Sequence, residues 1–170
     1  MEGEIVNRVA NSKLKVIDLE DFYPSGARIS LDIKDWLWEG LVLREKEFRA
    51  FVKGHDWSQY QNAYVALFCS TDAIIPDWAY MLISLKLQNI ARLSVIGNPS
   101  DIESLLYAEI ISSLDLSDYN DTPVIIKGCS KVDIPQSAYT LLISKIQPIV
   151  KSLMFGEACS TVPLYKPKKS

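Results

Sequence analysis

Shifted by 59 residues, this chain overlaps itself. Residues 48–97 lie over residues 107–156 without a gap, and 13 of the 50 positions are identical. Unrelated stretches of average composition would share about 3. Asp56, Ser58 and Tyr60 fall on Asp115, Ser117 and Tyr119, and Val65 falls on Val124. Ile75, Pro76, Ala79 and Tyr80 fall on Ile134, Pro135, Ala138 and Tyr139, and Gly97 falls on Gly156. A fold for this chain must therefore accommodate the same local plan twice.

Each copy reads as one β-α-β unit preceded by a helix. Glu45–Lys53 and Asp101–Ser113 have helical character, and the second carries an apolar stripe at Ile102, Leu105, Leu106 and Ile110. A polar D-x-S-x-Y turn follows, then a strand rich in β-favouring residues, Tyr64–Phe68 or Val124–Lys127. Pro76 and Pro135 suit the start of the next helix, where a missing N–H costs nothing. In copy one the expected core positions on that helix are Trp78, Met81, Leu82 and Leu85. In copy two they are Ala138, Tyr139, Leu142, Ile143, Ile146 and Ile149. Asn89 and Pro148 mark matching places where the helices end. Short strands close the copies at Leu93–Ile96 and Ser152–Phe155.

The predicted fold class is α/β: a single domain with a mostly parallel sheet built from the duplicated unit. Leu14–Leu19 and Arg28–Ile33 add two strands, joined by the turn chemistry of Phe22–Ala27 as an N-terminal hairpin. Asp32–Glu39 reads as a short helix stopped by Gly40. Trp36 and Trp38 are two apart and cannot share one helical face, so one belongs in the core and the other on a surface. The organisation is then an N-terminal hairpin and helix over 1–47, repeat one over 48–97, repeat two over 107–156, and a C-terminal tail over 157–170.

Composition enters as a set of exclusions. With 48% hydrophobic residues the chain can bury a core, which excludes disorder. Its 18 basic and 21 acidic residues give a net charge of −3, so no nucleic-acid partner is expected. No apolar run reaches membrane-spanning length, and Met1–Ala10 lacks the apolar stretch of a secretion signal. With three cysteines and no disulfide pattern, the expected compartment is the cytoplasm.

Ligands of open parallel sheets bind beyond the carboxyl ends of the strands. Cys69 and Cys129 end two strands, and Cys159 follows the last; each is followed by Ser. On one parallel sheet all three would reach a common rim. There they could bind zinc, or one could act as a reactive thiol; buried, inert cysteines are the alternative. His55 is the one histidine and would be a fourth ligand, but a simple β-α-β arrangement puts it at the opposite edge. Ser70, Thr71, Ser130 and Lys131 lie in loops leading to helix N-termini, a pattern suited to a small anionic ligand or to plain turn and capping chemistry. No G-x-G-x-x-G, phosphate-loop lysine or G-x-S-x-G motif is present. These residues do not decide whether the chain is an enzyme.

The strings Ile33-Lys-Asp-Trp-Leu-Trp-Glu-Gly40, His55-Asp-Trp57, Ile126-Lys-Gly-Cys-Ser130 and Phe155-Gly-Glu-Ala-Cys-Ser-Thr-Val-Pro163 resemble an uncharacterised domain-of-unknown-function family of Bacteroidetes bacteria. The resemblance spans nearly the whole chain. It implies a bacterial, cytoplasmic protein and carries no established activity. Three readings follow: a zinc or reactive-thiol site, a non-catalytic homo-oligomer using an exposed aromatic, and a small-anion binder.

Overall fold

The computed structural model describes residues 14–128, 131–157 and 160–167. Among them are four α-helices and two mostly parallel sheets, where one sheet was expected. The chain divides into two compact units, Pro24–Leu106, and Met1–Tyr23 with Tyr107–Ser170. In chain order the first is inserted into the second.

The inserted unit holds a parallel sheet in the order β2 (Arg28–Asp32), β3 (Tyr64–Phe68), β4 (Leu93–Ile96). Helix α1 (Glu45–Gly54) links β2 to β3, and α2 (Asp77–Leu87) links β3 to β4. Strand β3 is apolar throughout, as a strand covered on both faces must be. Alternation sends Val65 and Leu67 to one face, where they pack with Phe48, Val52, Ala79, Ile83 and Leu87. Tyr64 and Ala66 face the other way, against Ile102 and Leu106 at the start of α3 (Pro99–Ser113). Arg28 on β2 and Glu103 on α3 form an ion pair at 2.7 Å in which both side chains are largely buried.

The second unit holds β1 (Lys15–Ile17), β5 (Pro123–Ile126), β6 (Ser152–Glu157) and β7 (Ser160–Tyr165), in that order across the sheet. The first three strands are parallel, and β7 returns antiparallel to β6. Helix α4 (Gln136–Ile146) joins β5 to β6. The core gathers Ile17, Val124, Ile126 and Leu153 with Tyr107 and Ile111 of α3 and Ala138, Leu142 and Ile146 of α4. The Tyr107 hydroxyl donates to Leu19 O at 2.9 Å, which satisfies it inside the core.

Within each unit the 59-residue offset reappears in the backbone. Val65 pairs with Ser94 and Leu67 with Ile96; Val124 pairs with Leu153 and Ile126 with Phe155. Asn62 (φ 58°) and Asp121 (φ 50°) are both left-handed, and their N–H groups donate to Ile90 O and Ile149 O, each at 2.8 Å. Asp56 and Asp115 accept the N–H of Ser58 and of Ser117. The helix exits differ. Asn89 takes φ 66°, which proline cannot adopt, so at Pro148 the turn is made by a helical Gln147 instead.

Several expectations are corrected. The N-terminal strands form no hairpin: β1 pairs with β5 and β2 with β3, in different sheets. Parallel partners with buried faces outcompete a local turn here. The helix expected over Asp32–Glu39 shortens to a 3-10 turn at Lys34–Trp36, followed by a bridge between Trp38 and Val42. The tail contains β7. Its Pro163 reads against a strand but is tolerated at a sheet edge. Helix α2 buries Ala79, Ile83 and Leu87, and leaves Met81 and Leu85 exposed rather than in the core. That helix is apolar on several faces, so its spacing did not single out one stripe.

Candidate functional site

The carboxyl edge of the β2–β3–β4 sheet is built around Asp32, the last residue of β2. Its Oδ1 accepts the N–H of Lys34 at 3.0 Å, starting the 3-10 turn, and the N–H of Ser70 at 3.1 Å. Desolvation pushes the Asp32 carboxyl up. The Ser70 hydroxyl, these two N–H groups and the Lys34 cation outweigh that and hold it below the ordinary value. Thr71 Oγ1 donates to Gly40 O at 2.7 Å, which ties the β3–α2 loop to the Trp38–Val42 bridge. With that proton committed, the Cys69 thiol, 3.2 Å from Thr71 Oγ1, is the donor of their contact. Burial raises the Tyr80 phenol, as do the nearby Cys69 and Asp32.

Ser70 and Thr71 therefore stand at the expected edge, but their donors turn inward. Asp32 itself occupies the anion's position against Ser70. These loops expose apolar side chains, Ile74 at 93% and Trp38 at 41% with Leu41 and Val42 beside it in sequence, among exposed charged ones such as Lys34, Glu39 and Asp72. Trp36, by contrast, is buried.

The matching edge of the other sheet uses Asp18. Its Oδ1 accepts the N–H of Glu20 at 3.0 Å, as Asp32 does with Lys34. Its Oδ2 pairs with Lys127 Nζ at 3.0 Å, and this contact raises the Lys127 ammonium above its ordinary value. The Lys131 N–H donates to Glu20 Oε2 at 3.1 Å, so there too a carboxylate of the chain is the acceptor. Ser130, Cys129 and Cys159 lie outside the described residues. A common rim of three thiols requires all three strands in one sheet. Cys69 follows β3, whereas 129 follows β5 and 159 lies between β6 and β7, strands of the other sheet. No group of three or more metal-ligating side chains gathers among the described residues.

His55 caps the C-terminus of α1, before β3, whereas Cys69 follows that strand. Its ring lies 5.0 Å from Trp36, 4.8 Å from Trp57 and 5.7 Å from Tyr60, centroid to centroid. Its Nε2 is 2.9 Å from the Tyr60 hydroxyl and 3.3 Å from Gln59 Nε2. Burial lowers its basicity, opposed in part by Asp56. This is the environment of a packed, hydrogen-bonded ring.

A further surface was not anticipated. Met81 and Leu85 on α2 and Ile96 on β4 are 61%, 66% and 58% exposed, and together they line a groove beside β4. Among the described residues β4 ends its sheet, whereas β6, its counterpart at the 59-residue offset, is covered by β7.

The family model described as "Protein of unknown function (DUF2480)" matches residues 3–167. The chain belongs to this family. No curated protein and no solved structure matches it. Within this DUF2480 chain no helix among the described residues is long and apolar enough to cross a membrane.

One correspondence escaped the sequence reading although its signal was present. At an offset of 14, Ile17-Asp-Leu-Glu-Asp-Phe22 lies over Leu31-Asp-Ile-Lys-Asp-Trp36. Both segments end a strand, place an Asp at the carboxyl edge and bury the next residue, Leu19 or Ile33.

Proposed function

We propose that this is a non-catalytic, self-associating protein that works through apolar surface on its β2–β3–β4 unit. The observation carrying this reading is the end strand β4 with its groove of Met81, Leu85 and Ile96. Exposed edge strands template further pairing, and native chains normally blunt or cover them. The inward-turned donors of Ser70 and Thr71 favour this reading over an anion pocket at that edge.

We also infer that the two units arose by duplication of one strand–helix–strand–helix–strand segment. The shared strand register, the paired left-handed residues Asn62 and Asp121, and the twin caps at Asp56 and Asp115 support this. A reducing, cytoplasmic setting suits the free Cys69 thiol.

The test is light scattering or sedimentation of the full chain from micromolar to near-millimolar concentration. The reading expects a concentration-dependent rise from monomer to a discrete oligomer. A monomer throughout that range overturns it.

A further inference from the structure

We infer that β4 is the seam of a two-fold dimer, pairing antiparallel with β4 of a second copy about an axis through Val95. This rests on the self-association proposed above and names its partner and geometry. The first observation is internal. Strand β6, which shares β4's register within its sheet, already accepts an antiparallel strand on its outer edge, with Phe155 opposite Val162 and Gly156 opposite Thr161. That strand, β7, carries Pro163 and presents a blunted edge. Leu93–Ile96 contains neither proline nor charge.

The second observation is self-complementarity. The Gly97 N–H donates to Leu67 O, on the β3 side. By alternation, the N–H and C=O of Val95 also face β3, and those of Ser94 and Ile96 point away from it, toward the open edge. An axis through Val95 makes the two Val95 residues a non-hydrogen-bonded antiparallel pair, flanked by hydrogen-bonded pairs of Ser94 with Ile96. Ser94 then stands opposite Ile96 of the second copy, Leu93 opposite Gly97, and Arg92 opposite Asn98. No like charges meet, and the cation of this stretch faces a neutral amide. Ser94 and Ile96 pair with Val65 and Leu67 of β3, residues packed toward α2, so they share a face with the groove. Each Ile96 is thereby carried to the mouth of the other copy's Met81–Leu85 groove. The exposed apolar side chains of both copies are covered together, and the sheet continues through six strands.

The experiment compares the full chain with Ile96→Lys and, separately, Met81→Lys, by sedimentation and by backbone hydrogen exchange at low and high concentration. Both positions are exposed, and unchanged circular dichroism and thermal midpoint under monomeric conditions confirm folding. The expected result is a dimer Kd raised at least about tenfold in each variant. The amides of Ser94 and Ile96 should also gain protection with concentration only in the unaltered chain. If the chain self-associates but neither variant weakens it and these amides gain no protection, the β4 seam is wrong while self-association stands. If the unaltered chain stays monomeric, both fall.

Discussion

His55 sits among the rings of Trp36, Trp57 and Tyr60 with its Nε2 on the Tyr60 hydroxyl. Burial pulls its folded-state value below the ordinary 6.5, so the folded chain disfavours the imidazolium. The unfolded chain binds the proton first, so His55 supports stability fully above about pH 6.5, and that support is lost as pH falls through the lowered value. Asp56, Asp115 and Asp32 are also held below their ordinary 3.8, so their contributions fade only in stronger acid. Between about pH 7.5 and about pH 5 the histidine stands out. Urea midpoints should fall across that window in the unaltered chain and vary less in His55→Gln. Equal slopes would show that the ring's surroundings do not set the pH response.

At the scale of elements, the two units solve the same problem with unequal means. Helix α3 ends at Ser113; its last-turn carbonyls lack N–H partners four residues on, and Ile111 O takes the Leu114 N–H at 3.3 Å instead. Lys145 of α4 answers them: its Nζ donates to Ile111 O at 2.8 Å, Ser112 O at 2.7 Å and Leu114 O at 2.6 Å. Its counterpart on α2, Lys86, is exposed. Lys145→Met should cost about 1–2 kcal/mol, because charge-assisted bonds and partly buried carbonyls are lost together. For a chain this size that lowers the thermal midpoint by about 2–8 °C. Lys86→Met should stay within about 0.5 kcal/mol of the parent. Calorimetry on the pair decides the matter, and equal effects would remove the capping role. The elements themselves were largely legible. The strands at Tyr64–Phe68 and Leu93–Ile96 and the helices after Pro76 and Pro135 follow from composition, spacing and proline placement. Strand β7 was not legible, since Pro163 argues against a strand until an edge position is known.

For the whole molecule the telling feature is connectivity. Pro24–Leu106 is continuous in sequence, and its sheet is lined on one face by α1 and α2 and on the other by the start of α3. The other unit needs β1 from one side of this insertion and β5–β7 from the other. A fragment spanning residues 24–113, which keeps α3 whole, should therefore fold and unfold cooperatively. The complementary fragment 107–170 lacks β1 and should not. Far-UV circular dichroism with thermal melts tests both. A disordered 24–113 fragment would show that its core is insufficient alone.

From the residues alone came the match of 48–97 with 107–156, the four α-helices and most of the strands, and the polar turns at Asp56 and Asp115. These depend on neighbours a few positions away, whose chemistry is local. Only the tertiary structure decided that the N-terminal strands separate into two sheets, because strand partners are chosen by burial across long sequence gaps. The same holds for the site. Sequence placed Ser70, Thr71 and Cys69 at a strand end. That Asp32 and Gly40 already take the donors of Ser70 and Thr71, and that Met81, Leu85 and Ile96 border an open edge, depends on residues brought together by folding.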